Sequence, residues 1–201
     1  MSVAPEVLAT LVARAHASAP LLPGSGAEAS GRVRPGTRLV CVDGPSGSGK
    51  STLASQLAVA LDAQVVHMDD LYEGWEAGPS GGAERLATWV LGPLAAGLPG
   101  RYRRYDWVAG EYAEEHDVPL APFVVVEGCG AGALVVEGLA SLLVWVEADD
   151  AERLRRGLER DGAAAREHWL RWMQDEAVFY PAQRTRERAD VRIDGWGRLE
   201  G

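Results

Sequence analysis

Residues 38–61, RLVCVDGPSGSGKSTLASQLAVAL, decide the fold of this chain. The compact apolar run at 38–43 predicts a buried strand, and leucine and alanine recur at helical spacing over 51–61. Between strand and helix, residues 44–51 match G-x-x-x-x-G-K-[ST] at every position. The pattern is specific when it follows a strand and opens a helix, as it does here. The stretch therefore predicts a βα unit with a phosphate-binding loop.

The residue types of this loop each serve phosphate binding. Glycines let the backbone curl so that amide N–H groups converge on phosphate oxygens, and the following helix N-terminus adds a favourable dipole. Lys50 is expected to contact the β- and γ-phosphates, and the Ser51 hydroxyl to ligate Mg²⁺. Lys50 is the only lysine beside 19 arginines, and a compact ammonium fits between phosphate oxygens where a planar guanidinium does not. We therefore predict that ATP and Mg²⁺ bind here, on Gly44, Ser46, Gly47, Ser48, Gly49, Lys50, Ser51 and Thr52.

Apolar strands alternate with helices along the rest of the chain. Further strands are predicted at 64–68, 123–126, 142–146 and 190–194, and helices at 5–18, 83–91 and about 149–176. Residues 134–136 fit either a strand or a helix, and 93–117 shows no clean period, as in a functional insertion. The alternation predicts an α/β fold of three layers, with helices on both faces of a central parallel sheet. Ligands are expected at the carboxyl ends of its strands.

Composition narrows the classes of function. The chain has 201 residues, a net charge of −9 and no apolar run near the ~18 residues of a membrane span, so neither a membrane protein nor an avid nucleic-acid binder is expected. Two cysteines are too few for a disulfide framework, and the first residues lack the positive charge of a signal peptide. We expect a cytoplasmic protein with an N-terminal helix and linker at 1–36 and one domain at 37–201. The sequence leaves the oligomeric state open, a homodimer included.

Five short motifs together resemble the uridine kinase and phosphoribulokinase family of P-loop kinases. They are VDGPSGSGKST at 42–52, MDDLY at 68–72, YDW at 105–107, VVVEG at 124–128 and RLRRGLERD at 153–161. The resemblance covers about residues 38–161, and the motifs follow in the order of the family. It implies a P-loop NTPase fold and a kinase that transfers the γ-phosphoryl group of ATP to a hydroxyl of a small, nucleoside-like acceptor.

The resemblance also implies roles for single residues. Asp69 takes the place of the general base that accepts the proton of the acceptor hydroxyl, with Asp70 as the competing assignment. Both aspartates could instead close the strand as solvated charges. Tyr72 matches an aromatic residue of the acceptor pocket. Glu127 matches an acidic residue that holds Mg²⁺ or orients the acceptor.

Arginines near residue 156 resemble the lid of the family. Arg153, Arg156 and Arg160 recur at helical spacing, and Arg156 and Arg160 share one face. Their implied role is to neutralise charge on the phosphoryl group during transfer. The alternative is a solvated helix face on which arginines pair with Glu152 and Glu159.

Tyr105 and Asp106 resemble the start of the family's acceptor motif, and Asp106 could bind a sugar or polyol hydroxyl. The family continues with a His and an Arg that recognise a pyrimidine, whereas this chain has Gly110 and Tyr112 at those positions. Nearby arginines could recognise an anionic group or lie on the surface: Arg101, Arg103 and Arg104. Four tryptophans near the pocket segments could stack on a ligand or pack in the core: Trp75, Trp107, Trp169 and Trp172.

Two other functions are compatible with the loop. A nucleotide-hydrolysing switch would act without a small acceptor. However, GTPases commonly read their base with an N/T-K-x-D motif, and Lys50 is the only lysine here. A binding module without catalysis would leave Asp69, Glu127 and the lid arginines unexplained. The motif set therefore favours the kinase.

Overall fold

The structure is a computed structural model that describes residues 3–24 and 36–200. Residues 25–35 of the helix and linker predicted at 1–36 lie outside the described residues. In chain order the strands are β1 Arg38–Asp43, β2 Gln64–His67, β3 Gly100–Asp106, β4 Glu111–Val118, β5 Phe123–Glu127, β6 Ala140–Val146 and β7 Val191–Ile193. The helices are α1 Pro5–Ala17, α2 Lys50–Leu61, α3 Gly78–Arg85, α4 Gly92–Ala95, α5 Asp150–Asp161, α6 Arg166–Gln183 and α7 Thr185–Arg188.

Five parallel strands form the central sheet in the order β2-β5-β1-β6-β7. β1 lies in the middle, where Val42 is in register with Glu127 of β5 and Val144 of β6. Because all the strands point the same way, their carboxyl ends meet at one edge of the sheet. The loops that follow β1, β2 and β5 therefore come together there.

Helices cover both faces of this sheet. Successive residues of β1 point to opposite faces, so Val40 and Val42 pack with Leu53 of α2 and Leu11 of α1. On the other face, Cys41 belongs to the cluster that contains Leu86 and Trp172. The three-layer α/β fold predicted from the sequence is confirmed. The N-terminal helix is part of the packed structure, since Leu11 and Ala15 are fully buried.

The segment at 93–117, which has no clean period in the sequence, contains an antiparallel hairpin. β3 and β4 form a two-stranded sheet separate from the main one. The pairing shifts register between Arg103 and Tyr105, so the buried side chains of β3 do not follow a strict alternation. This irregularity explains why the sequence does not read as a strand.

Two other segments refine the sequence interpretation. Leu134–Val136 forms a 3₁₀ turn, which settles a choice that the pattern left open. The helix predicted at 149–176 consists of α5 and α6, separated by Gly162, whose φ of 88° ends α5.

A π-helical segment, Leu86–Leu91, joins α3 to α4. In the described ranges no helix combines the length and the apolar character needed to cross a membrane.

Candidate active site

The phosphate-binding loop lies at the carboxyl end of β1 and runs into α2. Gly44, Gly47 and Gly49 all have positive φ, at 142°, 76° and 106°. A Cβ at Gly44 would lie 1.9 Å from the carbonyl oxygen of Val146, and a Cβ at Gly47 would lie 2.6 Å from that of Arg153. The loop therefore requires glycine for its backbone conformation and for its close approach to neighbouring chain segments.

Lys50 extends from the first turn of α2 under this loop. Its side chain is buried, and Nζ donates a hydrogen bond to the carbonyl oxygen of Pro45 at 2.9 Å. Burial by itself would lower the pKa of Lys50, but the acidic groups around it, those of Cys129, Glu127 and Glu176, raise the pKa above its ordinary value. Lys50 is therefore a buried cation that lies beneath the loop.

Ser51 and Glu127 bring two oxygen donors together at the same edge. Ser51 Oγ donates to Glu127 Oε2 at 3.1 Å, and Glu127 Oε1 lies 2.7 Å from Nδ1 of His67. The hydrogen bond with Glu127 raises the pKa of His67, although partial burial opposes this. A hydroxyl beside a carboxylate fits Mg²⁺, which prefers oxygen ligands and keeps several waters. No cluster of three or more His, Cys, Asp or Glu suited to a metal occurs among the described residues, so phosphate and water would complete the coordination.

His67 closes β2, and its ring pairs with Glu127 at the edge where the strands end. The spacing of single histidines in the sequence gave no signal of this contact, because it joins two strands that are 60 residues apart.

Asp69 lies in the 3₁₀ turn Met68–Asp70 that follows β2, and it lines the cavity beside the loop. Asp69 is exposed within this open cavity. Desolvation by the surrounding protein raises the pKa of Asp69, and Glu127 raises it further, whereas Arg160 and Lys50 act against the shift. Asp70 points elsewhere: Tyr102 donates a hydrogen bond to its Oδ2 at 3.3 Å.

The cavity has a volume of about 640 Å³ and contains two chemically different sides. The phosphate side comprises Ser46, Gly47, Gly49, Lys50, Ser51 and Thr52, together with Glu127. Gly44 and the buried Ser48 belong to the same loop but are not among the described residues that line this cavity, so their contact with phosphate stays a prediction. The other side comprises Asp69, Tyr72, Trp75, Trp107, Trp169 and Trp172. One volume of this size accommodates a phosphate tail and a small molecule next to each other.

The aromatic side is a connected set of rings. The Trp75 ring centroid lies 5.4 Å from that of Trp107, 5.9 Å from that of Trp172 and 6.5 Å from that of Trp169. Tyr72 packs edge-on against Trp172 at 4.9 Å and donates its hydroxyl to the carbonyl oxygen of Cys129. The four tryptophans that the sequence placed near pocket segments thus meet in one wall.

Arg156 and Arg160 both line the cavity, as their shared helix face predicts. Arg156 Nη1 donates to the carbonyl oxygens of Gly47 and Ser48 at 3.3 and 3.4 Å. Arg160 binds Asp161 through two hydrogen bonds of 2.7 and 2.9 Å. Their roles in charge stabilisation stay predictions.

Arg153 differs from the other two arginines of α5. It is buried and pairs with Glu176 of α6, with Nη2 2.9 Å from Oε2. It therefore joins α5 to α6 inside the protein and is not an arginine of the cavity wall.

Tyr105 and Asp106 are not brought into the cavity that the described residues form. Tyr105 is largely buried, and its ring packs against Trp107 and Tyr112. Asp106 Oδ1 accepts the amides of Val108 and Ala109 at 3.0 and 2.9 Å, which fixes the turn of the hairpin and lowers the pKa of Asp106. Both lie next to Trp107, which does line the cavity. Their contact with an acceptor stays a prediction.

Sequence patterns did not reveal two buried carboxylates behind the loop. Asp43 accepts the amides of Gly44, Gly130 and Gly132 at 2.6, 2.9 and 2.8 Å, and burial raises its pKa to about 6. The second carboxylate is Glu176, which accepts the amide of Ser46 at 2.6 Å. The position of Asp43 at the end of β1 was a usable signal, but Glu176 lies in a helix of unremarkable pattern.

Substitution of Gly157 by Ala tests how tightly α5 packs against the aromatic wall. A Cβ at Gly157 would lie 2.2 Å from the Trp169 ring. We expect the free energy of unfolding to fall by about 1–3 kcal/mol, because overpacking forces the indole from its place. Denaturant unfolding measures this, with Glu159→Ala on the exposed side of α5 as the control, for which a change within about 0.5 kcal/mol is expected. Equal stability of the two variants would contradict this packing.

Solved structures with the same fold support the assignment of the architecture. A possible uridine kinase from Bacillus stearothermophilus is 19% identical, with a TM-score of 0.64 over 94% of this chain and 98% of that chain. A structure named as that of a fructose transport system kinase from Silicibacter sp. TM1040 is 22% identical, with a TM-score of 0.61 over 85% and 94%. The chain has the same fold as these two structures, which confirms the fold that the resemblance implies.

One curated protein is similar in sequence. A shikimate kinase from Corynebacterium diphtheriae is 36% identical over 132 residues, which is 63% of this chain and 65% of that protein. The match thus spans slightly less than two thirds of this relative's length. No protein-family model matches the chain.

Proposed function

We propose that this protein is an ATP- and Mg²⁺-dependent kinase that phosphorylates a hydroxyl of a small molecule. The observation that carries the proposal is that Asp69 and the residues of the phosphate side line a single cavity. A nucleotide bound by the loop would present its γ-phosphate toward the side where Asp69 stands. The kinase names of the similar proteins agree with this reading.

In this proposal the loop binds and orients the phosphates. Its amides and the start of α2 attract phosphate oxygens, and Lys50 supplies a fixed positive charge. Ser51 and Glu127 would hold Mg²⁺, which neutralises phosphate charge when bound. Arg156 and Arg160 of α5 would add positive charge in the same cavity.

Asp69 would remove the proton of the attacking hydroxyl. As the acceptor oxygen forms its bond to the γ-phosphorus, the bond from that phosphorus to the β–γ bridging oxygen breaks and ADP leaves. The hydroxyl proton passes to the Asp69 carboxylate. Its raised pKa makes it a better proton acceptor than an ordinary aspartate.

The wall of the cavity favours an uncharged acceptor with a flat ring. Trp75, Trp107 and Trp172 offer aromatic faces and edges to a ligand beside Asp69. A carboxylate acceptor such as shikimate would need a further cation there, but Arg156 and Arg160 are assigned to the phosphoryl group in this proposal and already pair with Glu152 and Asp161. Arg101 and Arg104 of the hairpin are likewise paired, with Asp117 and Glu114. A nucleoside-like acceptor fits these surroundings better than an acidic one.

A coupled ADP-release assay over nucleosides, sugars, ring-bearing alcohols and shikimate tests the proposal. We expect release that depends on an acceptor, with a ring-bearing uncharged compound as the best one. Preference for shikimate would overturn the acceptor class and keep the kinase. ADP release that no acceptor stimulates would overturn the kinase.

Substitution of Glu127 by Gln tests the proposed Mg²⁺ site. We expect the Mg²⁺ concentration for half-maximal turnover to rise about 10–100-fold, because the variant loses the carboxylate charge beside Ser51. A Mg²⁺ titration at fixed ATP measures this. Glu137→Gln is the matched control, since Glu137 occurs in a similar VVEG stretch and has an exposed side chain. Equal Mg²⁺ requirements of the two variants would remove Glu127 from the site.

A further inference from the structure

Glu176 is a buried carboxylate that the proposed chemistry does not use. It projects from α6, and only 2% of its surface is exposed. Its partners come from four separate parts of the chain: Ser46 in the loop, Cys129 after β5, Arg153 in α5 and Trp172 in α6. A charged group so deeply buried is costly unless every lone pair is used, so this arrangement is specific.

A single oxygen of this carboxylate serves both sides of the cavity. Oε1 accepts the amide N–H of Ser46 at 2.6 Å and the indole N–H of Trp172 at 3.0 Å. The thiol of Cys129 donates to the same oxygen at 3.2 Å. Arg153 Nη2 holds the other oxygen at 2.9 Å and so prevents the carboxylate from rotating away. Ser46 belongs to the phosphate side and Trp172 to the aromatic side.

Trp172 connects the fixed carboxylate of Glu176 to the other rings of the aromatic side. Its ring packs against Tyr72 at 4.9 Å and against Trp75 at 5.9 Å, and all three line the cavity. A displacement of the Ser46 amide therefore moves the shared acceptor oxygen, and with it the anchor of the indole. Buried, hydrogen-bonded groups of this kind transmit displacements because they have few alternative arrangements.

We propose that Glu176 is a positioning residue that couples the phosphate side of the cavity to its aromatic side. The inference rests on the proposed function only in that the loop binds a nucleotide. If this coupling exists, Trp172 on the aromatic side affects the nucleotide affinity through Glu176, even when no acceptor is bound.

The test compares nucleotide binding in two backgrounds by calorimetry, with Mg²⁺ and a non-hydrolysable ATP analogue. Trp172→Phe keeps an aromatic ring and removes the indole donor. In the otherwise native protein we expect it to weaken binding about fivefold or more, within the usual range of coupling between sites. In the Arg153→Met/Glu176→Met background, where the shared oxygen is gone, we expect the same change to have no further effect. The paired replacement leaves no buried unpaired charge, so folding should survive it.

Trp89→Phe is the matched control for this cycle. Trp89 is a half-buried tryptophan of the π-helical segment Leu86–Leu91 and does not line the cavity that the described residues form. We expect it to change nucleotide affinity less than twofold in both backgrounds. Thermal unfolding confirms that each variant is folded.

Equal effects of Trp172→Phe in the two backgrounds, or equal effects of Trp172→Phe and Trp89→Phe, would overturn the coupling. A cycle as expected, in a protein that phosphorylates no acceptor, would leave the coupling in place and refute the kinase.

Discussion

Replacement of Asp69 by Asn is expected to lower acceptor-dependent turnover about 10²–10⁴-fold, the usual contribution of a general base. The amide keeps the shape of the side chain but cannot take the hydroxyl proton. Nucleotide affinity should change little, because the loop and Lys50 are intact. Steady-state ADP release at saturating acceptor measures the first effect, and calorimetry measures the second.

Asp70→Asn is the matched control for this prediction. Asp70 is adjacent in sequence, but it receives a hydrogen bond from Tyr102 and does not line the cavity that the described residues form. We expect its turnover to stay within a few-fold of wild type. Loss of turnover in Asp70→Asn together with normal turnover in Asp69→Asn would reverse the assignment of the base.

Replacement of Lys50 by Met is expected to weaken nucleotide binding about 10–100-fold, because hydrogen bonds from a charged donor to phosphate contribute about 1.5–3 kcal/mol. The buried ammonium lies under the loop, where its pKa is raised, so it is charged at neutral pH. Calorimetric titration with Mg²⁺ and a non-hydrolysable ATP analogue measures the loss.

Lys50→Arg separates charge from shape in the same titration. It keeps the positive charge, but a planar guanidinium does not fit between phosphate oxygens beneath the loop. We therefore expect it to bind nearly as weakly as Lys50→Met. Native affinity in either variant would show that the loop does not hold phosphates in the way proposed.

The fold was predictable because its determinants are local. The loop pattern lies between a strand and a helix. Short apolar runs mark β2, β5 and β6, because strands of a parallel sheet are covered by helices on both faces. Where a local signal was broken, prediction failed: the register shift in β3 hid the hairpin, and Gly162 divides what reads as one helix. Such breaks follow from tertiary packing, which a periodicity does not contain.

The site was predictable only in part, because some of its contacts join residues that are distant in the sequence. Lys50, Ser51 and Asp69 lie shortly after strands and Glu127 ends one, so the parallel sheet brings them to one edge. Glu176 is 130 residues from Ser46, and no sequence spacing indicates that contact. Asp106, which resembles a ligand-binding residue in its motif, is engaged in the hairpin turn.

The fate of the γ-phosphate tests the central claim most directly. With [γ-³²P]ATP, Mg²⁺ and the best acceptor of the panel, we expect the label to appear on the acceptor, with one phosphorylated molecule formed for each ADP. Label that appears only as inorganic phosphate, with the acceptor unchanged, would contradict the account and identify a nucleotide hydrolase instead.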